Sequence, residues 1–134
     1  MKLYIDDIRD VPDGSWTLAR TITEAIRTID NYSKEITHIS LDHDISHDVE
    51  VDGVNRPFPC KENFTAVARY IGAMYSRYPR FGGFERSGKY PIITIHSANP
   101  VGAKEMMLLF RGLKIDVEIN PMMACNRYET TLDN

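Results

Sequence analysis

The sequence predicts an α/β fold: a mainly parallel sheet of five strands, covered by helices on both faces to make three layers. Three observations predict it. Short apolar runs of strand length alternate with stretches of helical periodicity, the pattern of strands joined by helical crossovers. The run "IITI" (Ile92–Ile95) is a near-continuous apolar run interrupted only by Thr94, as in a strand buried on both faces. Acids, histidine and serine follow directly after three of the runs, and in parallel α/β sheets those strand ends lie along one ligand-binding edge.

The elements follow in order. "KLYI" (Lys2–Ile5) is a short β-type run that stops at Asp6-Asp7, and "SWTLART" (Ser15–Thr21) alternates well enough for a second strand. "TITE" then reads as a capping box from Thr21 to Glu24, opening an amphipathic helix on Ala25, Ile26 and Ile29. "ITHISL" (Ile36–Leu41) is the third strand. Residues 45–62 are polar, contain Gly53, Pro57 and Pro59, and show no clear periodicity, so a long loop is expected there. Phe64, Val67, Ala68, Ile71 and Tyr75 recur at helical spacing. A further loop, "PRFGGFERSGKYP", leads into the strand "IITI". "SANP" places Asn99 as an N-cap and Pro100 at the first helical position of a helix that runs to about Arg111 and ends at Gly112. "IDVEI" (Ile115–Ile119) is the last strand, followed by a mostly polar tail or short helix.

At 134 residues, with 43% hydrophobic and 26% charged residues, the chain reads as one domain over 1–134 with an ordinary soluble composition. A net charge of −3 provides no basic field for duplex DNA. Cys60 and Cys125 stand far apart with no CxxC spacing, which suits a reducing compartment. The N-terminus holds too few apolar residues for a signal-peptide core, and no 18-residue apolar run occurs. A soluble, cytoplasmic protein without a membrane partner is the expectation.

The chemistry gathers at the strand ends. Asp6 and Asp7 follow the first strand, Asp42 to Asp44 the third, and His96 with Ser97 the fourth. Asp6, Asp7 and Asp42 together would place three carboxylates in a small space, which is costly unless a cation neutralises them. Oxygen-only ligands select a hard ion, Mg²⁺ first and Mn²⁺ second. The plain alternative for Asp6-Asp7 is a turn with Arg9 as a surface ion-pair partner. The histidines also raise a nitrogen/oxygen site for Zn²⁺ or a redox metal. Strand alternation, however, points Asp42 and His43 in opposite directions. His43 is as well read as a structural histidine under the loop, and His47 as a loop residue.

Ser97 and Asn99 begin a helix, whose free N–H groups and partial positive charge suit an anion. A phosphate between that helix start and a metal on the carboxylates is the geometry implied, with His96 a candidate acid/base group. Ser97 alone would be only an extra cap. Met106 and Met107 read as core, and Tyr70, Tyr75 and Tyr78 as half core, half surface. "RYPRFGGFER" mixes Arg with aromatics that would stack a base, but a solvated loop is the better reading.

The acid pair, the Asp after the third strand and Ser-Ala after the fourth resemble the receiver domain of response regulators, a flavodoxin-like three-layer sandwich. By that resemblance Asp6 and Asp7 fall on the metal-binding acid pair, Asp42 on the phosphoacceptor and Ser97 on the switch hydroxyl. The receiver's Lys-Pro after the fifth strand falls on Asn120-Pro121, so the phosphate-contacting lysine is absent. The chain resembles more closely the cyclic-phosphate processing receiver domains. Their DDxR, SLDHD and HSxN signatures stand here as "DDIR" (Asp6–Arg9), "SLDHD" (Ser40–Asp44) and "HSAN" (His96–Asn99).

That resemblance implies action on cyclic phosphates of nucleotides or RNA ends. The expected site then has Asp6, Asp7 and Asp42 on Mg²⁺ or Mn²⁺, and His96 and His43 dividing the base and acid roles beside Ser97. Arg9 and Asn99 would hold the phosphate oxygens, with Asp44 in support. Asp42 acting as a nucleophile is the alternative. A signalling or binding module without turnover, recognising a phosphorylated nucleotide or a protein partner, is the second functional reading, and a true phospho-receiver the third.

Overall fold

In the computed structural model, residues 1–75 and 90–123 are described, with residues 46–51 and 55–61 described by backbone only. Tyr78, most of the loop before "IITI" and most of the C-terminal tail lie outside the described residues. Strands β1 (Lys2–Ile5), β2 (Trp16–Ala19), β3 (His38–Leu41), β6 (Ile92–Ser97) and β7 (Val117–Pro121) form one five-stranded sheet. Its order is β2-β1-β3-β6-β7 and every pairing is parallel. Helices α1 (Ile22–Tyr32), α2 (Thr65–Met74) and α3 (Pro100–Gly112) make the crossovers. A separate antiparallel pair, β4 (Asp44–Val51) and β5 (Val54–Asn63), stands between β3 and α2.

The direction of the connections decides which face is covered. From β2 through α1 to β3, then through α2 to β6 and α3 to β7, the chain always steps the same way across the sheet. Right-handed crossovers therefore lay all three helices on one face. There α1 packs beside α2 and α2 beside α3. Leu3, Ile5, Ile39, Leu41, Ile93 and Ile95 point into this layer and meet Ala25, Ile29, Val67, Ile71, Met106 and Phe110 in a single core. Each large apolar side chain buried there contributes about 1.5–3 kcal/mol.

The opposite face carries Lys2, Tyr4, Trp16, His38, Ser40 and His96. Among the described residues no helix covers it, so the third layer expected there is not built from a described helix. The reason is local: β1 joins β2 through residues 6–15, a connection with no helix in it. Aromatic contacts tie this face together instead. Tyr4 stacks on His96 at 4.1 Å between ring centres and meets Trp16 edge-on, and Lys2 Nζ lies over the Trp16 ring.

Helix starts form as expected. Thr21 Oγ1 accepts the N–H of Glu24 at 3.0 Å, and Glu24 Oε2 reaches back to the N–H of Arg20, one residue before the position a standard capping box uses. Asn99 caps α3 by accepting the N–H of Gly102 at 3.0 Å, with Pro100 at the first helical position.

Two expectations are corrected. The segment 45–62 is not a loop but the body of the β4–β5 hairpin. Its turn is "VDGV", with Asp52 at φ 52° and Gly53 at φ 77°, the left-handed pair that a two-residue hairpin turn requires. An Asp-Gly pair is a strong short-range hairpin signal, and the prolines and charges around it mask the alternation. The last strand also begins two residues late. Ile115 N–H bonds back to Phe110 O, and Lys114, at φ 61°, makes the left-handed turn that ends α3. Ile115 is consumed by that cap, so the ladder opens only at Val117.

Candidate functional site

The sheet order reverses at β1, so β1 and β3 lie side by side and their carboxyl ends form a switch point. Asp6 leaves β1 there and Asp42 leaves β3, with Asp42 N–H still bonded to Ile5 O at 2.9 Å. Asp6, Asp7 and Asp42 converge: one carboxylate oxygen from each lies within 4.8 Å of the others. Two are deeply buried, Asp6 at 0% exposed and Asp42 at 4%.

Asp6 is held from every side. Its Oδ1 accepts the N–H groups of Ile8 and Arg9, each at 2.9 Å. Its Oδ2 accepts Nε2–H of His96 at 2.9 Å and Nη1–H of Arg9 at 3.1 Å. Burial pushes its carboxyl up, but the hydrogen bonds from His96 and from the backbone of Arg9 and Ile8 outweigh this and leave it below the ordinary value. Asp42 behaves in the opposite way. Burial first, and then the charge of Asp6, push it up to about 7, against the opposing pull of the His43 backbone N–H and Arg9. Neighbouring carboxylates whose pKa values are driven apart mark a site built around a cation or a proton transfer.

His96 and His43 sit differently from the expected base and acid. His96 is 1% exposed, lies beneath the carboxylates, and has both ring nitrogens engaged: Nε2 with Asp6, Nδ1 with Ser40 Oγ at 2.6 Å. It orients Asp6 and offers no nitrogen to a substrate in this arrangement. His43 turns to the helix face while Asp42 turns to the other, as alternation requires. Its ring packs on α3 at Gly102, and its Nδ1–H donates to Asp44 Oδ1 at 2.6 Å. Nε2 of His43 is buried without a hydrogen-bond partner. Asp44 accepts in addition from Asn99 Nδ2 at 3.1 Å. Asn99 is thus engaged at both ends, its Nδ2 with Asp44 and its Oδ1 with the cap of α3.

A further residue, Gly102, makes this packing possible. A Cβ at that position would lie 2.4 to 2.6 Å from ring atoms of His43. Gly102→Ala is therefore expected to destabilise the fold by about 1–3 kcal/mol despite alanine's higher helix propensity. Adding His43→Ala should recover much of that loss. Denaturant melts of the two single variants and the double variant give the coupling; additive losses would mean that the ring is not what fills the space.

Ser97 is buried at the end of β6, where its Oγ accepts the N–H of Asn99 at 3.1 Å, leaving the hydroxyl proton to donate. Arg9 joins the carboxylates, with Nη1 also 3.4 Å from Asp42 Oδ2. Asn120 pairs in register with His96, and Pro121 with Ser97, so the Asn-Pro pair stands at the neighbouring strand end as the alignment of motifs implies. His47 lies on β4, where only the backbone is described.

Sequence reasoning missed Ser40, Tyr4 and Arg20 as supports. Arg20 Nη1 donates to Arg9 O at 2.8 Å and braces the turn that carries Arg9. Ser40 stands inside the SLDHD motif, which was its only signal. A cleft of about 800 Å³ lined by Tyr75, Tyr90, Leu113 and Val117 lies elsewhere and contains none of the motif residues. The chemistry, not the cavity size, locates the site. No helix among the described residues is long and apolar enough to cross a membrane.

A family model described as the cyclic-phosphate processing receiver domain matches residues 1–112, which include every site residue named above except Asn120 and Pro121. Neither a curated protein nor a solved structure matches the chain.

Proposed function

The chain belongs to the cyclic-phosphate processing receiver domains, and from that premise we propose that it is a metal-dependent phosphoesterase acting on cyclic or terminal phosphates of nucleotides or RNA ends. The observation that carries this reading is the convergence of Asp6, Asp7 and Asp42 within 4.8 Å at the switch point. Three carboxylates, two of them buried and one pushed up to about 7, form an oxygen donor set in which the single charge of Arg9 bridges Asp6 and Asp42. Oxygen donors alone fit Mg²⁺ or Mn²⁺ better than zinc, and both nitrogens of His96 and Nδ1 of His43 are already engaged by Asp6, Ser40 and Asp44.

A bound Mg²⁺ or Mn²⁺ would supply Lewis-acid polarisation of a phosphoryl oxygen. The residues of the chain do the rest. Asp6, Asp7 and Asp42 would hold the ion, with Asp6 oriented by His96 and by the turn Asp6–Arg9. The hydroxyl of Ser97 and the first turn of α3 take a non-bridging phosphate oxygen. Opening a cyclic phosphodiester adds water to phosphorus, breaks the bond to one sugar oxygen and in net balance moves the water's proton to that oxygen; were Asp42 the nucleophile, water would then cleave the aspartyl phosphate and restore the carboxylate. Asp42 would be ionised while it holds the metal, so it could add to phosphorus or take a proton from the attacking water, and the leaving oxygen would take its proton from solvent.

The test is hydrolysis of a panel of 2′,3′-cyclic nucleotides and RNA ends bearing terminal phosphates, with Mg²⁺ or Mn²⁺ supplied. Wild type should turn over at least one class, and Asp42→Asn should not. Wild-type rates no better than the variant across the panel would remove the enzymatic reading.

A second reading, a module that binds a phosphorylated nucleotide or a protein partner without turnover, is favoured by the burial of both histidines. Saturable calorimetric binding of a cyclic nucleotide, with the ligand recovered intact, is its signature. Phosphorelay is disfavoured by Asn120 in place of lysine. A mass increase at Asp42 after treatment with acetyl phosphate would revive it.

A further inference from the structure

Asp6 has no acceptor position left for a new partner. A carboxylate offers about four lone-pair sites, and here all four are taken: by Ile8 N–H and Arg9 N–H on Oδ1, and by His96 Nε2–H and Arg9 Nη1–H on Oδ2. Two of these donors are backbone groups that define the turn. The third is a ring buried between Asp6 and Ser40. The guanidinium of Arg9 is the donor that can leave without moving the backbone or orphaning a buried ring.

The same guanidinium closes the gap to Asp42. Asp42 Oδ1 accepts His43 N–H at 2.8 Å, and its Oδ2 faces Arg9 Nη1 at 3.4 Å. Nη1 thus lies between Oδ2 of Asp6 and Oδ2 of Asp42, at 3.1 and 3.4 Å. A divalent cation bonded to both aspartates at about 2.1 Å would share that space, and its two charges would repel the guanidinium at close range. Arg9 is also anchored from the far side, where Nη2 donates to Met123 O at 2.8 Å.

Resting on the metal reading of the site, we infer that Arg9 is its resident counter-ion: it neutralises the carboxylates, gives way to the divalent cation, and then turns its planar fork to the phosphate of the ligand. Arg9 is short-tethered, since its backbone N–H stays bound to Asp6 Oδ1 and Arg20 braces its carbonyl. The displaced guanidinium therefore remains beside the site. Bidentate pairing with two non-bridging oxygens replaces the pairing with two carboxylates. One residue so links cation binding to anion binding, and displacement also gives up the tie to Met123.

The test separates this inference from the reading beneath it. Mn²⁺ affinity is measured by calorimetry at pH 8 on wild type, Arg9→Met, Arg9→Lys and Asp42→Asn, with circular dichroism as the fold check. Inorganic phosphate binding is then measured on the Mn²⁺-saturated proteins. Arg9→Met should bind Mn²⁺ about tenfold more tightly, or better, because a competing positive charge is gone. It should bind phosphate about tenfold more weakly. Arg9→Lys, a single point charge that cannot bridge both aspartates, should fall between on the metal and also lose phosphate affinity; it keeps the test alive if the methionine variant does not fold. Equal or weaker Mn²⁺ binding in both folded Arg9 variants would overturn the counter-ion role while leaving the metal site standing. No Mn²⁺ binding by wild type or either Arg9 variant would instead remove the metal site, and this inference with it.

Discussion

Asp42→Asn is expected to make the metal-free protein more stable at pH 8 and, in the same molecule, to abolish its response to Mg²⁺ and its turnover of a cyclic phosphate. The stability effect follows from linkage. The folded-state pKa of Asp42, about 7, lies above the ordinary carboxylate value. Its contribution is therefore fully present below the unfolded pKa and is lost as pH rises through about 7. At pH 8 the native state carries this buried charge beside that of Asp6, and an amide removes the cost, on the order of 1–3 kcal/mol. At pH 4 and below the advantage should vanish.

Asp6 does not blur the window. Its shift is downward, so its contribution is lost only as pH falls through the acid range. For the wild type, Mg²⁺ must displace a proton from Asp42 below pH 7, so the metal-induced rise in melting temperature should be larger at pH 8 than at pH 5.5. Thermal melts at both pH values, with and without Mg²⁺, check the whole set. A pH-independent metal shift, or a variant less stable than wild type at pH 8, would contradict the assignment. In turnover the expected loss is at least roughly 10²-fold.

His96→Leu is the second large effect. The substitution removes the donor to Asp6 Oδ2, the partner of Ser40 Oγ and the ring stacked on Tyr4, all in a region about as buried as the core. A loss of about 3–5 kcal/mol is expected, because Asp6 and Ser40 are left in place with groups unsatisfied. His96→Gln is the informative companion. Its side-chain amide reaches about as far as Nε2 and can still donate to Asp6, so it should recover part of the stability and much of the metal affinity. If His96 transferred protons in the reaction, Gln and Leu would be equally inactive. If it positions Asp6, the leucine variant should lose metal affinity by about 10–100-fold and the glutamine variant far less. Calorimetry of Mn²⁺ binding on both variants separates the two roles without relying on activity.

Much of the fold was legible because its signals are local. The Thr21 and Asn99 caps and the Pro100 start depend on neighbours a few residues away and stand where the pattern places them, and each sheet strand overlaps the short run that predicts it. The hairpin was written locally as well, in Asp52-Gly53, but its strands are polar and hold prolines, so alternation did not stand out. The last strand slipped by two residues because the end of α3 recruits Ile115, a competition between helix cap and strand that periodicity does not resolve.

The site divides in the same way. The residue types after each strand, with the parallel order they imply, were enough to bring Asp6, Asp7 and Asp42 to one edge, since strands that run in one direction must end together. Strand alternation already turned His43 away from Asp42, but the partners each histidine meets were not contained in the pattern. His96 is buried because Tyr4 stacks on its ring and Ser40 and Asp6 engage its two nitrogens. His43 turns to α3 because position 102 has no side chain to exclude it. Arg9 sits between two carboxylates because a turn locked onto Asp6 aims it there. The sequence by itself determined the fold class and the set of charges that meet at the switch point. Only the tertiary structure decided which polar groups are spent on each other and which remain for a ligand, because hydrogen-bond partners are chosen by distances across the sheet and not by spacing along the chain.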